Sequence, residues 1–181
     1  MEILIANTKG GVGKTTLTLA FADILNAQIV EWDLQKTIAN CAQITGRHTP
    51  VGLEEINAHY VIHDTPPYNS DCLKSLIKRV DYILIPSRLS SADLVATKTI
   101  IDIIRALGAT AKATIVFNAV RKPYNSAYHA AKKYFASSFK DIKKATTELP
   151  QLISLQTVIE KPVQGQAKEA CIALLKELNI H

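Results

Sequence analysis

The sequence holds 181 residues, 48% hydrophobic and 20% charged, with a net charge of +5. That suffices for one well-filled core and is short for two, so a single domain over residues 1–181 is expected. Seven Gly and seven Pro exclude a collagen-like or low-complexity chain, the apolar fraction excludes a disordered one, and the charge permits an anionic partner. Cys41, Cys72 and Cys171 lie far apart with no C-x-x-C pair, which argues against a zinc site or a disulfide framework and fits a reducing compartment. No window approaches the ~18 apolar residues of a membrane span. The opening residues show no cleavable leader, so a soluble cytoplasmic protein is expected.

Short apolar runs predict strands at Ile3–Ala6, Ile29–Val30, Tyr60–Ile62, Tyr82–Ile85 and Thr114–Phe117. Helical periodicity covers Thr15–Leu25, Ser91–Leu107, Ala127–Phe139 and Ala167–Leu178, while Arg47–Ala58 takes no assignment. Strands alternating with helices predict an α/β fold with a mostly parallel central sheet and helices on both faces. Ligands of such sheets bind outside the carboxyl ends of the strands. Attention therefore falls on Asn7–Thr16, Asp33, Asp64–Pro67, Pro86 and Asn118.

Directly after the first strand comes Lys9-Gly10-Gly11-Val12-Gly13-Lys14-Thr15-Thr16, and a helical pattern follows at once. Strand, glycine-rich turn and helix together make a phosphate loop, the mark of a P-loop NTPase. Its backbone N–H groups and the helix N-terminus cradle a polyphosphate. Lys14 reaches the β- and γ-phosphates, and the Thr15 hydroxyl is placed for Mg²⁺. The usual G-x-x-x-x-G-K-[ST] pattern fails once, because Thr8 stands at the first Gly, and a lysine, Lys9, is added. This resembles the deviant Walker A motif, K-G-G-x-G-K-T, of the ParA/MinD superfamily of dimeric ATPases. The resemblance implies that Lys9 crosses a dimer interface to the partner's nucleotide.

Glu31-Trp32-Asp33-Leu34-Gln35 resembles the family's D-x-D-P-Q segment, with Glu31 for the first Asp and Leu34 for Pro. By that resemblance Asp33 positions the attacking water; the alternative for Asp33 is a helix N-cap near Thr37. Tyr60-Val61-Ile62-His63-Asp64-Thr65-Pro66-Pro67 has the form of a Walker B strand followed by the family's T-P-P. Asp64 at its tip would hold the Mg²⁺ hydration shell. His63, at a usually apolar position, reads as a satisfied core or edge histidine. Asn118 matches the asparagine that contacts adenine in the family, an amide being suited to a purine edge.

The resemblance runs from Ile3 through Pro86 and Asp93-Leu94 to Thr157-Val158-Ile159 and thins beyond. With the first strand at Glu2 or Ile3, it implies a small partition ATPase without an N-terminal helix-turn-helix domain. Between Arg105 and Glu148 nine basic residues face two acidic ones, a local charge of +7. Arg121, Lys122, Lys132, Lys133, Lys140, Lys143 and Lys144 are its candidate contacts to duplex phosphates, with a solvated basic face as the alternative. Cys171, Leu174, Leu175 and Leu178 form one stripe that reads as a packed core helix, since the membrane-interface pattern is poor.

The function implied is an ATP- and Mg²⁺-dependent homodimer that binds non-specific double-stranded DNA. Hydrolysis, stimulated by a ParB-like centromere-binding protein, releases it, so the protein is cytoplasmic and nucleoid-associated when ATP-bound, without direct membrane binding. The alternatives are a MinD-like positioning ATPase, a small-molecule ATP-dependent ligase or kinase on the same fold, and a passive DNA-binding protein.

Overall fold

The computed structural model describes residues 1–67, 71–121 and 123–181, and at 153 and 154 the backbone. The apolar runs form strands β1 (Glu2–Ile5), β2 (Gln28–Glu31), β3 (Val61–Asp64), β4 (Tyr82–Ser87) and β5 (Ala113–Phe117), with a short edge strand, β6 (Lys143–Lys144). All pair in parallel in the order β2-β3-β1-β4-β5-β6, with Ile5 opposite Asp64 and Ile83 opposite Ala113. Both faces of the sheet are covered, which is why the strands read as near-continuous apolar runs.

Helices α1 (Lys14–Leu25), α2 (Thr37–Thr45), α3 (Asp71–Arg79), α4 (Ser91–Ala106), α5 (Ser126–Ser138), α6 (Ile153–Gln156) and α7 (Gly165–Glu177) complete the described chain. Alternation along the strands divides the core in two. Ile3, Ile5, Leu84 and Val116 pack under α1 and α7; Leu4, Ala6, Ile83, Ile85 and Phe117 pack under α3, α4 and α5. Each fully buried Ile, Leu or Phe side chain contributes roughly 1.5–3 kcal/mol through its apolar area. The stripe Cys171, Leu174, Leu175 and Leu178 lies in the first of these cores. No helix among the described residues is long and apolar enough to cross a membrane.

Of the helices absent from the sequence reading, α3 has a buried apolar stripe of Leu73, Leu76 and Ile77, whereas the local signals of α2 are weak. Lys36, with φ +48°, holds the cap position before α2, and its side chain makes no capping hydrogen bond. The N-terminus of α2 is met from a distance by Glu31, whose carboxylate accepts from Ile38 N at 2.7 Å and Ala39 N at 3.0 Å. Within Arg47–Ala58 there is one 3₁₀ turn, Leu53–Glu55. Arg47 and His48 tie that loop to Asp23 on α1 at 2.7 and 2.8 Å.

Strands β1 and β4 are neighbours, yet β1 continues into α1 on one face and β4 into α4 on the other. The order of the sheet reverses at this point, which opens a crevice at the strands' carboxyl ends.

Candidate functional site

The loop Lys9–Lys14 fills that crevice. Asn7, 2% exposed, anchors its root: Nδ2 donates to the Pro86 carbonyl at 2.9 Å, and Oδ1 accepts from Lys9 N at 3.0 Å. The Thr8 hydroxyl donates to Ala96 O at 3.1 Å, so the loop is tied to α4 as well. Gly13, with φ +101°, turns the chain into α1. A Cβ there would lie 2.2 Å from Asn118 Nδ2, so the position needs glycine for both conformation and space. Asn118 Nδ2 donates to Val12 O at 2.8 Å, which packs this amide against the loop.

Lys14 is 8% exposed and its Nζ donates to Lys9 O at 3.1 Å. Burial lowers its pKa, and the charges of Asp64 and Asp33 oppose the shift. The Thr15 hydroxyl donates to Asp64 Oδ2 at 2.8 Å, and Thr18 donates to Oδ1 at 3.1 Å. Burial pushes the Asp64 carboxyl up to about 6 despite those hydrogen bonds and the Lys14 charge. A hydroxyl and a carboxylate this close are hard oxygen donors that fit Mg²⁺ in the presence of phosphate oxygens and water.

Asp33 follows β2, half-buried, with Oδ1 accepting from Gln35 N at 3.0 Å. It does not cap α2; Lys36 holds the cap position and Glu31 serves the helix N–H groups. Asp33, Lys14, Thr15, Gly10, Gly11, Gly13, Thr16 and Asn118 all line one cavity of about 320 Å³. Its far wall is Pro150, Gln151, Leu152 and Leu155. Val12 is buried beneath the loop.

His63 is fully buried and satisfied on both nitrogens: Trp32 Nε1 donates to Nδ1 at 3.1 Å, and Nε2 lies 3.0 Å from Glu2 Oε2. That pattern assigns the Nε2–H tautomer. Burial holds its pKa below the usual histidine range.

Lys9 points away from the cavity that holds Lys14. Its Nζ lies 2.9 Å from Asp93 Oδ1, and Asp93 is 1% exposed and also bonded to the Ser90 hydroxyl.

The basic segment divides in three dimensions. Arg105 is paired with Asp141 and Lys132 with Glu148, both at 2.6 Å, and Lys144 turns back to the Phe139 carbonyl. Lys133, Lys140 and Lys143 are exposed, and so is Arg121, which donates to Gln151. Lys122 lies outside the described residues.

Sequence reasoning missed the anchoring by Asn7, the capping by Glu31 and the pairing of Asp93 with Lys9. The signals available were slight: an Asn two residues before Lys9, and an Asp in the segment after Pro86.

The pattern describing the CobQ/CobB/MinD/ParA nucleotide binding domain matches residues 3–164. No curated protein matches the sequence. Among solved structures, a Cyanothece McdA–ATP complex superposes with a TM-score of 0.73 at 13% identity, over 99% of this chain and 96% of that one. A plasmid partition protein from Borrelia burgdorferi gives 0.65 at 14% identity, over 97% and 96%. The septum site-determining protein MinD of Pyrococcus horikoshii, in complex with Mg-ADP, gives 0.65 at 13% identity, over 98% and 95%. At such identities the superpositions speak for the fold, whereas the sequence match covers most of the chain and takes in the loop, Asp33, Asp64 and Asn118. The chain therefore belongs to the CobQ/CobB/MinD/ParA nucleotide-binding family.

Proposed function

We propose that this ATPase is a DNA-partition switch of the ParA kind. In its ATP-bound state two subunits sandwich two nucleotides, each lending Lys9 to the other's phosphates, and the dimer binds non-specific double-stranded DNA at the nucleoid. A ParB-like centromere-binding protein accelerates hydrolysis and so releases it. The single observation that carries the reading is the convergence of Lys14, Thr15 and Asp33 on one cavity, with Asp64 bonded to Thr15 behind them.

The loop N–H groups and Lys14 bind the β- and γ-phosphates and stabilise the charge that develops on the γ-phosphoryl. Thr15, and Asp64 through water, would hold Mg²⁺, which when bound neutralises phosphate charge. Asp33 orients the attacking water. Asn118, whose amide donates to Val12 O, lines the same cavity as Pro150 and Gln151, and would contact the adenine there. For DNA, exposed Arg121, Lys133, Lys140 and Lys143 remain as candidate phosphate contacts together with Lys122, while Lys132 and Lys144 must first leave their partners.

A MinD-like membrane helix at the C-terminus is disfavoured because Cys171, Leu174, Leu175 and Leu178 are at most 4% exposed.

The test is binding to non-specific duplex DNA with no nucleotide, ADP, ATP and a non-hydrolysable ATP analogue, at two salt concentrations. Binding that appears only with ATP or the analogue, and weakens with salt, is expected. Binding that ignores nucleotide would identify a passive DNA-binding protein, and none at all would remove DNA from the cycle.

A further inference from the structure

The crevice between β1 and β4 has two rims, the phosphate loop after β1 and the turn after β4 that opens with Arg88. Arg88 lines the cavity over Gly10, Gly11 and Lys14, and also an adjoining cavity of about 540 Å³ that contains Lys9 and Asp93. It thus stands where the two meet, on the side of the loop that faces α4.

Its lack of a partner among the described residues distinguishes it. Of the five arginines in the sequence, Arg47 is bound to Asp23, Arg79 to Glu2, Arg105 to Asp141 and Arg121 to Gln151. The Arg88 guanidinium makes no hydrogen bond or ion pair among the described residues, and its side chain is exposed. The lysines of the crevice are engaged, Lys9 with Asp93 and Lys14 with the Lys9 carbonyl. A planar fork of donors on the rim of a phosphate-binding loop matches a phosphate's oxygens in geometry and charge.

We propose that Arg88 binds the terminal phosphate of the nucleotide within its own subunit, and so lets the monomer tell a nucleoside triphosphate from a diphosphate before any dimer forms. The inference rests on the nucleotide reading above. Arg88 is independent of Lys9, which remains on Asp93 until a second subunit arrives.

The experiment is calorimetric titration of wild type, Arg88→Ala and Arg88→Lys with Mg-ADP and with a non-hydrolysable Mg-ATP analogue, at protein concentrations shown to be monomeric by light scattering. Arg88→Ala should weaken the analogue about ten- to a hundredfold and leave ADP within about twofold, with partial recovery in Arg88→Lys. Because the side chain is exposed and makes no hydrogen bond or ion pair among the described residues, both variants should melt within about 2 °C of wild type. Unchanged affinity for the analogue, or an equal loss for both nucleotides, would overturn the assignment. Failure of the wild type to bind either nucleotide would instead bring down the nucleotide reading, and Arg88 with it.

Discussion

Lys9 and Asp93 are 84 residues apart in sequence and 2.9 Å apart at Nζ and Oδ1, with the carboxylate buried and the lysine about one-third exposed. A lysine that serves a neighbouring subunit must first give up this partner. Screening limits such a pair to about 1 kcal/mol, so Asp93→Asn should lower the ATP concentration needed for dimerisation by about three- to tenfold. Sedimentation of the two proteins across an ATP series measures this. An unchanged midpoint would mean that the pair does not restrain Lys9.

Lys14 and Asp33 share a cavity and should separate in their effects. If Lys14 binds the phosphates as proposed, Lys14→Gln removes charge they need in the ground state and should abolish ATP binding. On the proposed reading Asp33→Ala removes the group that orients water, so binding should persist and ATP-bound dimer should accumulate while turnover falls by about a hundredfold or more. Emission from Trp32, the only tryptophan, provides a binding signal next to Asp33. Equal loss of binding in the two variants would contradict the division of roles.

Burial pushes the Asp64 carboxyl up to about 6, above the ordinary carboxylate range. The folded state then holds this proton more tightly than the unfolded state does. Asp64 accordingly subtracts stability as pH rises through the window between the ordinary value and about 6, by an amount on the order of 3 kcal/mol. Asp64→Asn has no such proton, so in the absence of nucleotide it should melt higher than wild type at about pH 8, with the gap narrowing through about pH 5 and closing below the ordinary carboxylate value. Mg²⁺-dependent nucleotide binding should be lost in the same variant. Equal melting differences at both pH values would show that Asp64 ionisation is not the cause.

Glu31 satisfies two N–H groups of α2 from seven and eight residues away. Glu31→Ala should cost about 1–2 kcal/mol in urea denaturation, within the range of a lost charged cap. Because Glu31 lines no part of the phosphate cavity, ATP affinity should stay within about threefold of wild type. A large loss of affinity without a loss of stability would move Glu31 into the site.

Helix α4 was legible from its long apolar period alone; its cap, the Ser90 hydroxyl that accepts from Asp93 N at 3.2 Å, came with the structure. Helix α2 was not legible, since its cap comes from another element and only Ile38 and Ala42 are buried. His63 reads correctly as a satisfied histidine, but its partners, Trp32 and Glu2, meet it only when β2, β3 and β1 lie side by side. Lys143 and Lys144 read as surface charge and form a two-residue edge strand, because pairing with β5 depends on a neighbour rather than on the lysines themselves.

By itself the sequence determined strands β1 to β5, the phosphate loop and the order in which Lys14, Asp33, Asp64 and Asn118 follow their strands, because period and loop spacing are local properties of the chain. Tertiary structure alone decided which charges are committed. Lys9 is held by Asp93 and Lys132 by Glu148, whereas Arg88 is left open at the crevice. The physical reason is that ion pairing falls off within a few ångströms, and only the parallel sheet, by setting β1 beside β4 and β5 beside β6, fixes which distant residues come that close.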